Sequence, residues 1–230
     1  MGAPVASAAG DDLAVAYRRL NAAYAQTLRY AEDVRQLYQH MQRAICQSLL
    51  GLANALEAKD SYTRGHSERV GASSAALARA LGLGHADVET AAQAGLLHDI
   101  GKIGVPETVL GKRGALTEDE WVLMRRHPVL GAQIVAPFDF LATAAPIIRH
   151  HHERADGSGY PDGLRGEAIP VGACVIAVAD VYDALTSDRP YRAALSPEQA
   201  REHLSAQAGR TLDARVVAAF LRLPRSRVGA

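Results

Sequence analysis

The sequence predicts an all-α protein, a long N-terminal helix with a coiled-coil-like face followed by a bundle of shorter helices. Three observations carry this. A heptad seam is sustained from Asp11 to about Leu52. Beyond it, apolar residues recur at helical spacing between capping and glycine signals. No stretch alternates strands with helices as a parallel sheet would require.

The elements follow in order. Residues 1–10 are small and are expected to be disordered. From Asp11, Leu13, Leu20, Val34 and Met41 share one heptad position, with Thr27 and Ser48 as polar exceptions. Tyr17, Tyr24, Ala31, Tyr38, Ile45 and Leu52 share the other. That register favours a helical stalk over 11–47 that pairs with a second copy, over a helix folded back on its own domain. The domain proper is expected at 48–230. Helical spacing runs from Arg64 to Leu81, stopping near Gly82 and Gly84, and again from Asp87 to Ile100, stopped by Gly101. Thr117-Glu118-Asp119-Glu120 is a capping box, expected to open a helix through about Val135. Phe138 to His152 is a further helix candidate. Arg154 to Val171 is dense in Gly, Pro and Asp and should be a loop. Cys174 to Thr186 reads as a buried helix, Ser196-Pro197 as a helix start, and Asp213 to Leu223 as a closing amphipathic helix.

Composition removes several function classes. The 230 residues carry 25 basic and 25 acidic side chains, which argues against a cationic surface for duplex nucleic acid or anionic lipid. Aromatics make up only 5%, too few for a single-strand stacking platform. No apolar run approaches the roughly 20 residues of a membrane span, and the N-terminus lacks signal-peptide character. Cys46 and Cys174 could form one bridge at most, so a reducing cytoplasm is the expected compartment. The unusual feature is nine histidines in a chain of zero formal net charge.

Those histidines mark the chemistry. An apolar run ends on His98-Asp99, with Lys102 one turn beyond, where it could meet a phosphate oxygen. Alone, that pair is weak evidence. It is joined by His66 near a helix start, His127 ahead of Pro128, the run His150-His151-His152-Glu153, and Asp180 and Asp183 one turn apart in an apolar stretch. An acid buried in such a stretch needs a cation. Neither cysteine lies near the histidines, so a structural zinc site is disfavoured. Seven nitrogen and oxygen donors without sulfur suit two octahedral ions sharing a carboxylate. The imidazole content favours iron or manganese over magnesium and leaves zinc open.

His98-Asp99 with His66, His127 and Asp180 resembles the HD superfamily of metal-dependent phosphohydrolases. The loop from His151 to Pro161, with Gly159-Tyr160-Pro161, is similar to the HD-GYP subfamily. So are Asp60 to Ser67, His98 to Pro106, and Asp183 to Arg192. The likeness spans about Ser48 to the last helix. It implies an HD-type helical bundle and a phosphodiesterase that hydrolyses cyclic di-GMP to linear pGpG and, as members often do, on to GMP. It also implies that His66, His98, Asp99 and Asp180 hold one divalent ion, while Asp99, His127, His151 and His152 hold the other, with Asp99 bridging. Lys102, Arg189 and Arg192 would bind the phosphates, and Glu153 and Asp183 would orient ligands. A hydroxide bridging the ions would then attack phosphorus in line with the departing 3′ oxygen.

Some members carry a glutamate one turn before the first histidine and bind a third ion. Tyr62 stands there in this chain, so a binuclear centre is expected. Ala155 replaces a common aromatic residue, and Leu212 and Ala214 replace a Phe and a Pro around Asp213. His40, His85 and His203 are expected to face solvent, and His150 to neighbour the ligands without binding. Gly159, Tyr160 and Pro161 form either a rigid turn or a docking loop for a partner protein. Two other functions stay open: hydrolysis of another cyclic nucleotide, and a non-catalytic module that binds cyclic di-GMP or a partner.

Overall fold

The computed structural model describes residues 6–59, 65–112, 114–188 and 193–224. Among these residues there are ten α-helices and no strand beyond an isolated bridge between Ala208 and Leu212. The all-α expectation and the long leading helix are therefore borne out.

Helix α1 runs from Ala6 to Lys59, starting earlier than the seam suggested. Residues 6–10, expected to be disordered, are therefore helical, and residues 1–5 lie outside the described ones. The chain divides into two compact units, Met1–Gln47 and Ser48–Ala230. In the first unit the seam residues Leu13, Tyr17, Leu20, Tyr24, Val34, Tyr38 and Met41 all lie exposed. Propensity alone contributes little to the stability of so long a helix in water, and its apolar stripe lies uncovered within this unit.

The second unit begins with the last turns of α1 and contains α2 (His66–Ala80), α3 (His85–Leu97), α4 (Glu107–Leu110), α5 (Glu118–Met124) and α6 (His127–Val135). It continues with α7 (Ala145–His150), α8 (Val171–Thr186), α9 (Pro197–Gln207) and α10 (Ala214–Arg222). Helix α8 is the axis. Ten of its residues are buried, among them Val175, Ile176 and Val178. Leu77 of α2, Leu204 of α9 and Phe220 of α10 join α8 in one core, where the Tyr182 and Phe220 rings lie 4.8 Å apart. Both expected N-caps close as reciprocal boxes: Thr117 with Glu120, and Ser196 with Gln199.

Two expected helices are broken, and proline explains both. The helix opened by Thr117 ends at Met124, the chain turns at Arg125 and Arg126, and α6 starts at His127. Pro128 lacks an N–H and fits only the first turn of a helix, so a new helix must begin there. In the same way Pro146 lies in the first turn of α7, leaving Phe138 to Ala144 as a short 3-10 turn and a bend. The expected Arg154–Val171 loop is a loop as far as Pro170, with one 3-10 turn, Gly166–Ala168, and Val171 already opens α8.

Candidate metal centre

All but one of the clustered side chains come from helix ends. His66 opens α2, His127 opens α6, His98 and Asp99 follow α3, His151 and His152 follow α7, and Asp180 projects from α8. The helix break at Arg125 thus serves the site, because it places His127 at the start of α6. Close packing fixes the ends against one another. A Cβ on Gly101 would lie 1.9 Å from the His127 carbonyl oxygen, so only glycine lets the turn after Asp99 meet the start of α6.

The sequence-predicted residues converge as two groups: His66, His98 and Asp180, and Asp99, His127, His151 and His152. His66 Nε2 lies 3.3 Å from His98 Nε2 and 3.4 Å from Asp180 Oδ1. His127 Nε2 lies 3.4 Å from His151 Nε2 and 3.3 Å from Asp99 Oδ1. The other Asp99 oxygen, Oδ2, lies 3.5 Å from His98 Nε2, so the carboxylate faces both groups. His152 packs on His151 with ring centroids 4.1 Å apart.

The tautomers decide what this arrangement can hold. His98 Nδ1–H donates to the Gly95 carbonyl at 2.8 Å, His127 Nδ1–H to Met124 at 2.8 Å, and His151 Nδ1–H to Ile148 at 2.6 Å. His66 Nδ1–H donates to Asp183 Oδ2 at 2.8 Å. A neutral imidazole with Nδ1 protonated has only a lone pair on Nε2. Nε2 atoms at 3.3 and 3.4 Å therefore bring lone pair against lone pair, with carboxylate oxygens beside them. Burying such a cluster is costly unless a cation sits among the donors. The donor set fits divalent metal ions: imidazole nitrogen and carboxylate oxygen, without thiolate.

Electrostatics agree. Burial pushes His98, His151 and His152 down, the last to about 3, so they are neutral and able to ligate at neutral pH. Burial would lower His66 too, but the Asp183 hydrogen bond and the charges of Asp180 and Asp99 outweigh it and raise its pKa. Burial works against the Asp99 carboxylate, yet Lys102, His98 and His127 hold it well below the usual range. Lys102 Nζ donates to Asp99 Oδ2 at 2.6 Å.

Asp183 accepts from Arg69 Nε at 2.6 Å and Nη2 at 3.0 Å, as well as from His66. Glu153 is buried and accepts from the Asp162 and Leu164 N–H groups at 2.7 and 3.1 Å. It thereby ties down the loop bearing Gly159, Tyr160 and Pro161. A Cβ on Gly159 would meet the Arg154 nitrogen at 2.4 Å, and the Tyr160 ring lies 4.9 Å from that of His152. His150 stands apart from the two groups; it and Arg149 bind Asp162. His40, His85 and His203 are exposed. Arg189, Arg192 and Tyr62 lie outside the described residues.

Two functional contributors escape sequence reasoning. Arg69 is one turn beyond His66 on α2, a spacing that could have revealed it. Glu57 lies on α1 and accepts from the N–H groups of Gly65 and Ser67 at 3.0 and 2.7 Å, capping α2 on both sides of His66. No local signal links it to a helix that starts only at His66.

A helical bundle whose helices bring imidazoles and carboxylates together in two groups defines the class, an all-α domain with a candidate divalent-metal centre. The HD domain family model matches residues 51–216, and the chain belongs to that family. The HD-GYP resemblance read from the motifs is borne out. The chain is 47% identical over 178 residues to a cyclic di-GMP phosphodiesterase response regulator from Xanthomonas campestris, covering 76% of this chain and 47% of that protein. It is 38% identical over 172 residues to a 3′3′-cGAMP-specific phosphodiesterase from Vibrio cholerae, covering 74% of this chain and 33% of the relative. It thus spans less than half the length of these relatives. A solved cyclic GMP-AMP phosphodiesterase from V. cholerae shares the fold, with a TM-score of 0.60, 19% identity, and coverage of 77% of this chain and 48% of that one. An HD-GYP-type protein from Bdellovibrio bacteriovorus does so with a TM-score of 0.55, 24% identity, and coverage of 67% and 50%.

Proposed function

We propose that this chain is a phosphodiesterase that hydrolyses cyclic di-GMP on a binuclear centre. The observation that carries the reading is the pair of Nε2 clusters sharing the Asp99 carboxylate. His66, His98, Asp99 and Asp180 would hold one divalent ion, and Asp99, His127, His151 and His152 the other; iron or manganese suits these donors best. Bound there, the ions supply Lewis-acid charge to the phosphate and a water acidic enough to act near neutral pH.

The protein's own groups do the rest. Asp99 keeps both halves in register. Lys102, already turned toward Asp99, steadies charge on a non-bridging phosphate oxygen as the transition state forms. Asp183 and the main-chain carbonyls fix each imidazole with its lone pair inward. Water adds to phosphorus, the P–O3′ bond breaks, and the proton passes to the 3′ oxygen. Linear pGpG is the product, with a second hydrolysis to GMP as the alternative end point. Arg189 and Arg192 would complete the phosphate contacts.

A second reading has an observation in its favour, since a relative at 38% identity is named for cyclic GMP-AMP. Anaerobic purification, elemental analysis and turnover assays separate the cases. Two ions with cleavage of cyclic di-GMP support the first reading. Cleavage of cyclic GMP-AMP alone supports the second, and binding without cleavage overturns both.

The exposed seam of α1 is proposed to pair with a second copy. Sedimentation should then give a dimer that Leu20→Glu with Tyr24→Glu converts to monomer, and a wild-type monomer at all concentrations removes the proposal. The loop of Gly159, Tyr160 and Pro161 is proposed first as a wall of the site, with partner docking as the alternative role. No described helix is long and apolar enough to cross a membrane.

A further inference from the structure

The cyclic-dinucleotide reading leaves a cavity unassigned. It has a volume of about 310 Å³ and opens beside His151, His152 and Asp180, bordered by α8 and α9. That is the low end of the roughly 300–1,000 Å³ typical of small-ligand pockets, enough for a base but not for a whole cyclic dinucleotide. Ala177, Val181 and Leu212 give it an apolar side suited to a ring face. Arg154, Gln207 and Thr211 give it a polar side.

The polar side has a definite sense. Thr211 Oγ1–H donates to Gln207 Oε1 at 2.8 Å, which takes one lone pair of the amide oxygen and fixes the amide so that its NH₂ is the donor Gln207 can offer a ligand. Among the described residues the Arg154 guanidinium makes a long hydrogen bond to Ser158 Oγ at 3.5 Å, and a guanidinium is a donor only. Gln207 and Arg154 therefore offer donors, while Thr211 Oγ1, its hydrogen given to Gln207, can only accept and the His203 ring on the same rim can do either. Guanine presents two adjacent acceptors, O6 and N7, on its Hoogsteen edge, whereas adenine presents N7 beside a donating N6.

We infer that this cavity receives one base of the cyclic dinucleotide and reads it as guanine through Gln207 and Arg154. The inference rests on the proposed hydrolysis of a cyclic dinucleotide at the adjacent metal centre. A phosphate at that centre would place the neighbouring nucleoside against α8 and α9.

The test is base selectivity in the full chain loaded with metal. Gln207→Glu turns the donor into an acceptor, and Arg154→Gln removes an exposed guanidinium with little risk to folding. For each, kcat/KM is measured with cyclic di-GMP and cyclic di-AMP, or an inhibition constant where turnover is too slow. Metal content and melting temperature serve as controls. The cyclic di-GMP to cyclic di-AMP ratio should fall about ten- to a hundredfold in Gln207→Glu, the span of a good base contact. A smaller fall is expected in Arg154→Gln. A wild-type chain that cleaves cyclic di-GMP, with a ratio unmoved in both variants, overturns the pocket alone. A wild-type chain that holds two ions and cleaves no cyclic dinucleotide overturns the functional reading and the pocket with it.

Discussion

The two halves of the metal centre use the same side chains in opposite ways. In the first, His66 is gripped by two carboxylates of α8: Asp180 faces Nε2 at 3.4 Å and Asp183 takes the Nδ1 proton at 2.8 Å. In the second, His127 and His151 give their Nδ1 protons to main-chain carbonyls, and the buried imidazoles crowd one another. Against the pull of burial the carboxylates raise the pKa of His66, while burial lowers its neighbour His98 and, in the second half, takes His152 down to about 3. His151 and His152 are thus ready for a cation over a wide pH range, while at His66 a cation must compete with a proton.

The largest effect should come from the residue common to both halves. Asp99→Ala should lose both ions by elemental analysis and at least about a thousandfold in turnover, roughly 4 kcal/mol of transition-state stabilisation. Full turnover in that variant would remove the bridging role. The halves are separated next by His151→Ala and His98→Ala, each expected to retain one ion in place of two. Loss of both ions from either variant would show a single cooperative unit and break the comparison. Asp183→Asn should weaken only the first half, by about 10- to 100-fold in metal affinity, as is usual for a group that orients a ligand. Competition with a chromogenic chelator reads this directly.

Acid sensitivity should give the smallest effect. The unfolded chain protonates His151 and His152 near the ordinary value of about 6.5, but in the fold His152 does so only near about 3. Across that window the unfolded state binds more protons, so the metal-free protein should lose stability as pH falls below about 6.5. His66 opposes this. Its raised pKa gives stability below about 6.5 that is lost as pH climbs through the raised value. Melting of chelator-treated protein should therefore move down between pH 7 and 5, and less steeply in His152→Ala. A flat profile would mean that the crowding at His152 is relieved without metal.

Much of this was legible in the residues. The heptad seam announced α1. The spaced histidines and aspartates announced a cluster, because such donors are costly to bury in apolar helices unless a cation joins them. What escaped depended on tertiary position. Pro128 and Pro146 broke two expected helices because an apolar period does not show where a proline resets the helix start. Glu57 looks like any exposed helical glutamate until α2 lies across it. Gln207 and Thr211 look like the polar face of a terminal helix until α8 supplies the opposite wall.

The contact made by Glu57 sets a practical boundary. Every proposed ligand lies after Lys59, so trimming the polypeptide there would seem to spare the centre. Yet Leu49 and Ala53 are buried, and the Glu57 carboxylate satisfies the amide hydrogens flanking His66. A fragment lacking those turns would begin with a frayed, uncapped segment at the first ligand. The smallest autonomous version of this domain must therefore reach back to about Ser48.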